Sequence, residues 1–87
     1  MLILDVYKKF ENLEKSQEHK VVLTNFELAV VKMALYNFTN LKTRGYERQF
    51  ERLVKYIFEE ARSYQYIYLY TDEIQIIEMC IYSISEV

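Results

Sequence analysis

The scarcity of turn residues constrains the fold of this chain more than any other feature of its sequence. The 87 residues include one glycine, Gly45, and no proline. Folds made of many short strands need frequent tight turns, which Gly and Pro are best suited to form. The apolar share of 52% is ample for a hydrophobic core. The sequence therefore predicts a single, mainly α domain over residues 1–87, with long helices and few connections.

Apolar spacing predicts four helices in a compact bundle. Apolar residues recur at intervals of three and four, the period of a helix with one buried face. The helices are expected over residues 2–16, 25–41, 45–63 and 72–85. The second is apolar almost all round, which is typical of a buried central helix. Thr24 and Glu27 form a capping-box pattern before it, and Thr71 is a plausible N-cap for the fourth helix.

Four tyrosines alternate with other residues in the segment 64–70. In an extended segment this spacing places them on one side, with Ile67 and Leu69 on the other. Because Tyr64 and Tyr68 are also four residues apart, the segment could instead continue the third helix. An extended conformation from about residue 66 to 70 is the favoured alternative, since Tyr and Ile fit a pleated, half-buried surface.

An internal echo relates the two halves of the chain at an offset of 46 residues. The segment Val21-Val22-Leu23 falls on Ile67-Tyr68-Leu69, and the second helix falls on the fourth with similar residue types. One interpretation is a pseudo-repeat of two helical pairs, in which residues 21–23 pair with 66–70 as a short two-stranded β ribbon. The other is that two buried helices converged on the same apolar spacing.

Residues that often carry chemistry lack suitable neighbours in this sequence. His19 is the lone histidine and lies in a polar run without a nearby nucleophile or carboxylate partner, so a solvated residue is expected. Cys80 lies among apolar residues of the fourth helix, which is typical of a core cysteine. Acid pairs such as Asp72-Glu73 have no histidine at helical spacing, and one glycine cannot build a phosphate loop. No enzymatic activity, metal or cofactor is expected.

A basic ridge on the third helix is the one patterned cluster of charge. Its members are Arg44, Arg48, Arg52 and Lys55, with Arg62 further along. At helical periodicity these side chains fall within a sector of about 80°. Such a ridge can follow phosphates, so nucleic-acid binding is one hypothesis. Glu47, Glu51 and Glu59 lie beside or within it, and the net charge is −2. A solvated face with helical ion pairs is therefore favoured.

The tyrosine row is the candidate partner-binding surface. Its members are Tyr64, Tyr66, Tyr68 and Tyr70. Ile67 and Leu69 favour burial, so the tyrosines are left at least partly outside, and tyrosine is enriched at interfaces. Packing of the row over the first helix is the open alternative. Four other tyrosines lie on apolar stripes and are expected in the core: Tyr7, Tyr36, Tyr46 and Tyr82.

These patterns favour a small non-enzymatic module that binds a larger protein. The tyrosine row and the acidic end of the chain, which has four acidic and no basic residues over 63–87, would form its contact surface. A nucleic-acid binder using the basic ridge is the alternative from another class. A homodimer or structural oligomer that assembles through 64–70 is the third hypothesis.

The run Leu23-Thr24-Asn25-Phe26-Glu27 precedes a buried helix in a short chain rich in Tyr, Lys, Asn and Ile. In this the chain resembles small helical accessory proteins of phages and mobile elements of low-GC Gram-positive bacteria. The resemblance implies an inhibitor or regulator that occludes a host or phage protein, and it transfers no functional residue.

The first residues lack the basic and long apolar regions of a signal peptide, and no stretch approaches the length of a membrane span. The expectation is a cytoplasmic protein without a membrane partner.

Overall fold

A computed structural model describes residues 3–13, 19–38, 45, 47–62 and 66–85 of the chain. The elements, in chain order, are α1 (Ile3–Glu11), β1 (His19–Val22), α2 (Asn25–Phe38), α3 (Glu47–Glu59), β2 (Tyr66–Leu69) and α4 (Thr71–Ser85). Four helices with one short antiparallel β pairing confirm the predicted mainly α fold. Gly45, just before α3, has φ of +85°, a left-handed conformation that favours glycine.

The third helix ends before the tyrosine segment, so the prediction that 64–70 might continue it is wrong for the described residues. The Ala61 amide donates to the Tyr56 carbonyl at 3.0 Å, a hydrogen bond that spans five residues. The Tyr56 carbonyl also accepts the Glu60 amide at 2.9 Å, so it takes two hydrogen bonds where the regular helix ends. The chain is therefore free to become extended, and Tyr66–Leu69 forms β2.

The two strands pair in the predicted place with slightly different bounds. His19–Val22 lies antiparallel to Tyr66–Leu69, and Val21 lies opposite Ile67. These two residues are equivalent at the 46-residue offset. An approximate two-fold axis that relates the two halves and passes through the Val21–Ile67 pair would produce this antiparallel pairing. The sheet thus lies where the two halves of the chain meet.

The buried apolar positions of the second and fourth helices correspond at the 46-residue offset. The buried pairs are Leu28 and Ile74, Val30 and Ile76, Val31 and Ile77, Ala34 and Cys80, and Leu35 and Ile81. The exposed pairs include Met33 and Met79, and Tyr36 and Tyr82. The helix starts repeat as well: the Thr24 amide donates to Glu27 Oε1 and the Tyr70 amide to Glu73 Oε1, both at 2.8 Å. The two halves therefore share their buried apolar positions and their helix starts at the 46-residue offset.

The core lies between one face of the sheet and the inner faces of the helices. α2 packs against α4, and α1 packs chiefly against α4. Fully buried side chains come from all four helices: Val6 and Phe10, Val31 and Leu35, Leu53 and Ile57, and Ile74, Ile77 and Ile81. Each contributes roughly 1.5–3 kcal/mol of transfer free energy.

Two expectations about burial are wrong. The second helix is not buried all round, because Phe26, Met33 and Tyr36 are 42%, 44% and 68% exposed. Tyr36 and Tyr82 were expected in the core but lie on outward helix faces. The reason is that α2 and α4 each meet the core along one face, so the apolar residues at intermediate positions remain in solvent. Tyr7 is half-buried, and Tyr46 lies outside the described residues.

A salt bridge joins α1 to the start of α2 and makes stability depend on pH. Lys9 Nζ lies 2.8 Å from Glu27 Oε1, which also accepts the Thr24 amide. Burial acts to raise the pKa of Glu27, but the hydrogen bonds from Lys9 and Thr24 outweigh it and lower the pKa below its ordinary value of 4.5. The ionised carboxylate therefore stabilises the fold above about pH 4.5, and this contribution is lost as the pH falls through the lower, folded pKa.

We expect Glu27→Gln to destabilise the domain by about 1 kcal/mol at neutral pH, because the charged hydrogen bond from Lys9 is lost. Urea unfolding at a series of pH values should show a shallower loss of stability below about pH 4.5 than in the wild type. Glu59→Gln, on the exposed end of α3, is the matched control. An unchanged pH slope in Glu27→Gln would show that the salt bridge contributes nothing measurable.

Candidate interaction surface

The outer side of the two-stranded sheet carries the tyrosine row. Tyr66, Tyr68 and Tyr70 are 59%, 52% and 59% exposed, whereas Ile67 and Leu69 are buried. The predicted alternation is therefore confirmed, and packing of these three tyrosines inside the domain is wrong. Burial of Ile67 and Leu69 in the core leaves the three tyrosines on the outer side. Tyr64 lies outside the described residues.

Two residues of β1 complete this surface, which we call the tyrosine face: Lys20, Val22, Tyr66, Tyr68 and Tyr70. Val22 lies opposite Tyr66 and is 38% exposed. Lys20 Nζ lies 3.7 Å from the centroid of the Tyr66 ring, a cation–π contact. Such contacts at exposed sites stabilise by about 0.5–1 kcal/mol. The contact restrains one tyrosine of the face, and all three tyrosines remain more than half exposed.

Side chains from the helices occupy both edges of the sheet. The Tyr68 amide points away from β1 and donates to the Tyr56 hydroxyl of α3 at 3.3 Å. On the opposite edge, Lys9 Nζ of α1 donates to the Val22 carbonyl at 2.6 Å. In an antiparallel pair, backbone groups point alternately towards the partner strand and away from it. The Tyr68 amide and the Val22 carbonyl point away, so a further strand at either edge would have to pair with them. The face, rather than either edge, is therefore the accessible side of the sheet.

These edge contacts were missed by the sequence analysis. Lys9 and Tyr56 occupy equivalent places if α1 and α3 are aligned at an offset of 47 residues, which also matches Val6 with Leu53 and Phe10 with Ile57. The sequence signal is weak, because the two residues differ in type and the offset differs by one from that of the second and fourth helices.

The basic ridge of the third helix is present and exposed. Arg48, Arg52 and Lys55 all lie in solvent on α3, and Arg44 is outside the described residues. Glu51 is exposed on the same helix. No ion pair joins the described residues of α3, so the ion pairs expected along this helix do not form there. The ridge is a solvated surface of mixed charge.

Cys80 is fully buried on α4, as predicted for a core residue. Burial raises the pKa of its thiol to about 12, so the thiol is protonated at neutral pH and is a poor nucleophile. His19 begins β1 opposite Leu69. Among the described residues, no group of three or more His, Cys, Asp or Glu side chains is placed to hold a metal ion. None of the described helices has the length and apolar character to cross a membrane.

The fold and this surface define a small, mainly helical domain with an exposed aromatic sheet face. The chain matches no protein-family model, and neither the curated proteins nor the solved structures gave a match. A proposal about its function therefore rests on its own residues.

Proposed function

We propose that the chain is a small non-enzymatic protein-binding module that uses the tyrosine face to cover part of a larger protein. One observation carries this proposal: Tyr66, Tyr68 and Tyr70 are all more than half exposed on one side of a sheet whose other side meets the core. Tyrosine offers a large rigid contact area with a polar tip, at a low cost in side-chain entropy.

The core does not require aromatic residues on this face, because all three tyrosines lie on its exposed side. At the equivalent place in the first half of the chain, Val22 takes the position of Tyr68 and Thr24 that of Tyr70. Both halves cap the following helix in the same way: the Thr24 amide donates to Glu27, and the Tyr70 amide donates to Glu73. Smaller side chains therefore suffice for the strand and the helix start, and the additional aromatic surface supports a role in binding.

The surroundings of the face suggest the chemistry of its partner. Asp72 and Glu73 lie in the first turn of α4, two and three residues after Tyr70. The tyrosine row therefore ends close to two carboxylates. A partner surface with an apolar centre and basic residues near one end would complement both features. An inhibitor that occludes such a surface on a host or phage protein fits this geometry.

Affinity capture from the native host, with the full chain as bait, tests the proposal. We expect one larger protein to be retained in a defined stoichiometry, and chemical cross-links from Lys20 should map the contact to the tyrosine face. A partner that cross-links only from α1, away from the sheet, would contradict the proposed surface.

A nucleic-acid binder is the second candidate, and one contact favours it. The Tyr56 hydroxyl accepts the Tyr68 amide, so α3 with its basic ridge lies directly beside the aromatic strand. Exposed aromatic rings next to Arg and Lys side chains are the usual components of a single-stranded nucleic-acid surface.

If this second candidate is right, a gel shift with single-stranded oligonucleotides should appear at 50 mM salt and weaken steeply towards 200 mM. The double variant Arg48→Gln, Arg52→Gln should lose that shift, because two phosphate contacts are removed. The protein-binding proposal instead predicts no shift at 50 mM salt. A salt-sensitive shift that depends on both arginines would favour nucleic acid over a protein partner.

A further inference from the structure

A second surface, separate from the tyrosine face, lies between the first and last helices. Tyr7 of α1 and Tyr82 of α4 have ring centroids 5.7 Å apart at an interplanar angle of 50°. They line an open groove of about 290 Å³. Among the described residues, its lining is Tyr7, Gln75, Glu78, Met79 and Tyr82. We call it the Tyr7–Tyr82 groove, and it shares no residue with the tyrosine face.

Glu78 gives this groove its chemical character. It is 9% exposed, whereas the neighbouring Met79 and Tyr82 are 42% and 48% exposed. The buried Glu78 therefore lies at the inner side of the groove, the half-exposed Met79 and Tyr82 lie further out, and Tyr7 is partly buried. Aromatic faces and carboxylates are the two groups that attract organic cations most strongly.

Comparison of the two halves shows that the carboxylate is not required by the repeat. At the 46-residue offset Glu78 corresponds to Lys32, while Met79 and Tyr82 correspond to Met33 and Tyr36. Lys32 Nζ lies 6.0 Å from the centroid of the Phe58 ring, so the first half provides its own cation beside an aromatic ring. The second half keeps methionine and tyrosine but places a carboxylate where the first half has an ammonium group.

From this geometry we propose that the Tyr7–Tyr82 groove binds an organic cation: an alkylammonium, quaternary ammonium or guanidinium group. The cation lies against the Tyr7 and Tyr82 rings, and its charge faces the Glu78 carboxylate. A free amine and the end of a lysine or arginine side chain share this chemistry. The site goes beyond the protein-binding function proposed above and does not depend on it.

NMR titration of the isotope-labelled full chain tests this site with choline chloride, and with 3,3-dimethyl-1-butanol as its uncharged isostere. We expect saturable shifts at the amides of Tyr7, Glu78 and Tyr82 at millimolar choline, and binding of the isostere weaker by about tenfold or more. The amides of Lys20, Tyr66 and Tyr68 should not move, which separates this site from the tyrosine face.

Glu78→Gln should weaken choline binding by about tenfold, because it removes the charge and keeps the shape. Glu59→Gln on α3 removes an equal charge elsewhere and should leave the affinity unchanged. If Glu78→Gln fails to fold, Tyr82→Leu decides, since Tyr82 is about half exposed and its loss should weaken binding without unfolding the chain.

Titration with N-acetyl-lysine methylamide and N-acetyl-arginine methylamide then distinguishes a protein side chain from a free amine. Tighter binding of either than of choline identifies a side chain of a protein as the ligand, and tighter binding of choline identifies a small quaternary amine. Equal binding of choline and its isostere, unchanged affinity in Glu78→Gln, or no saturable shift in the groove would each overturn the proposal.

Discussion

Replacing Leu69 by alanine is expected to destabilise the domain by about 2–5 kcal/mol, whereas the same replacement of its neighbour Tyr68 should cost less than about 1 kcal/mol. The two residues are adjacent on β2 and point to opposite sides of the sheet. Leu69 is fully buried and Tyr68 is 52% exposed. Truncation of Leu69 leaves a cavity against the helices, while truncation of Tyr68 removes a side chain that is already largely in solvent.

Urea unfolding followed by circular dichroism measures both changes. Small domains are stable by about 5–15 kcal/mol, so Leu69→Ala should leave a marginal fold. Leu23→Ala is the matched comparison from the other half, because Leu23 is 1% exposed and equivalent to Leu69 at the 46-residue offset. It should lose a similar free energy of unfolding. A larger loss in Tyr68→Ala than in Leu69→Ala would mean that the faces of β2 are assigned the wrong way round.

Features set by residues close together in the chain could be predicted from the sequence. The capping pattern of Thr24 and Glu27 forms as expected, with hydrogen bonds in both directions. The alternation over 66–70 gave the correct exposed and buried rows, because a strand has only two sides. The 46-residue echo predicted the strand pairing, although that pairing joins segments distant in the chain.

Features set by packing between helices could not be predicted in the same way. Helical periodicity shows that α2 has apolar residues on every side, but not which side meets α4, so Tyr36 was wrongly expected in the core. The preference of α1 for α4 over α2 has no local signal either. Both depend on how whole helices fit together, which short-range spacing does not encode.

The two candidate surfaces differ in how far the sequence reveals them. The tyrosine face is mostly one short segment, so its exposure follows from alternation; only Lys20 and Val22 had to be added from β1. The Tyr7–Tyr82 groove joins residues from opposite ends of the chain, and neither its aromatic pair nor the burial of Glu78 has a sequence signature. The groove appears only once α1 is placed against α4.

The double variant Tyr66→Ser, Tyr68→Ser is expected to weaken partner binding by at least about 30-fold while the domain stays folded. Aromatic residues at the centre of an interface often contribute 2 kcal/mol or more each, which corresponds to a factor of about 30 in affinity. Both side chains lie outside the core, so the cost to stability should come from the lower strand propensity of serine, within about 1 kcal/mol per site, and from loss of the Lys20–Tyr66 contact, about 0.5–1 kcal/mol. Binding by surface plasmon resonance to the captured partner measures the effect.

Tyr36→Ser is the matched control for this variant, because Tyr36 is the more exposed residue at 68% but lies on α2, away from the sheet. Equal loss of binding in the control would show general adhesion by aromatic residues rather than recognition by the tyrosine face. Loss of the helical signal in the double variant would show that the row is structural.

If the partner is a second copy of this chain, light scattering at two concentrations should show a mass that rises with concentration in the wild type and stays monomeric in the double variant. In that case the two copies must meet through their tyrosine faces, at Tyr66 and Tyr68. Strand addition would need the outward backbone groups of Val22 and Tyr68, and Lys9 and Tyr56 already bind these groups.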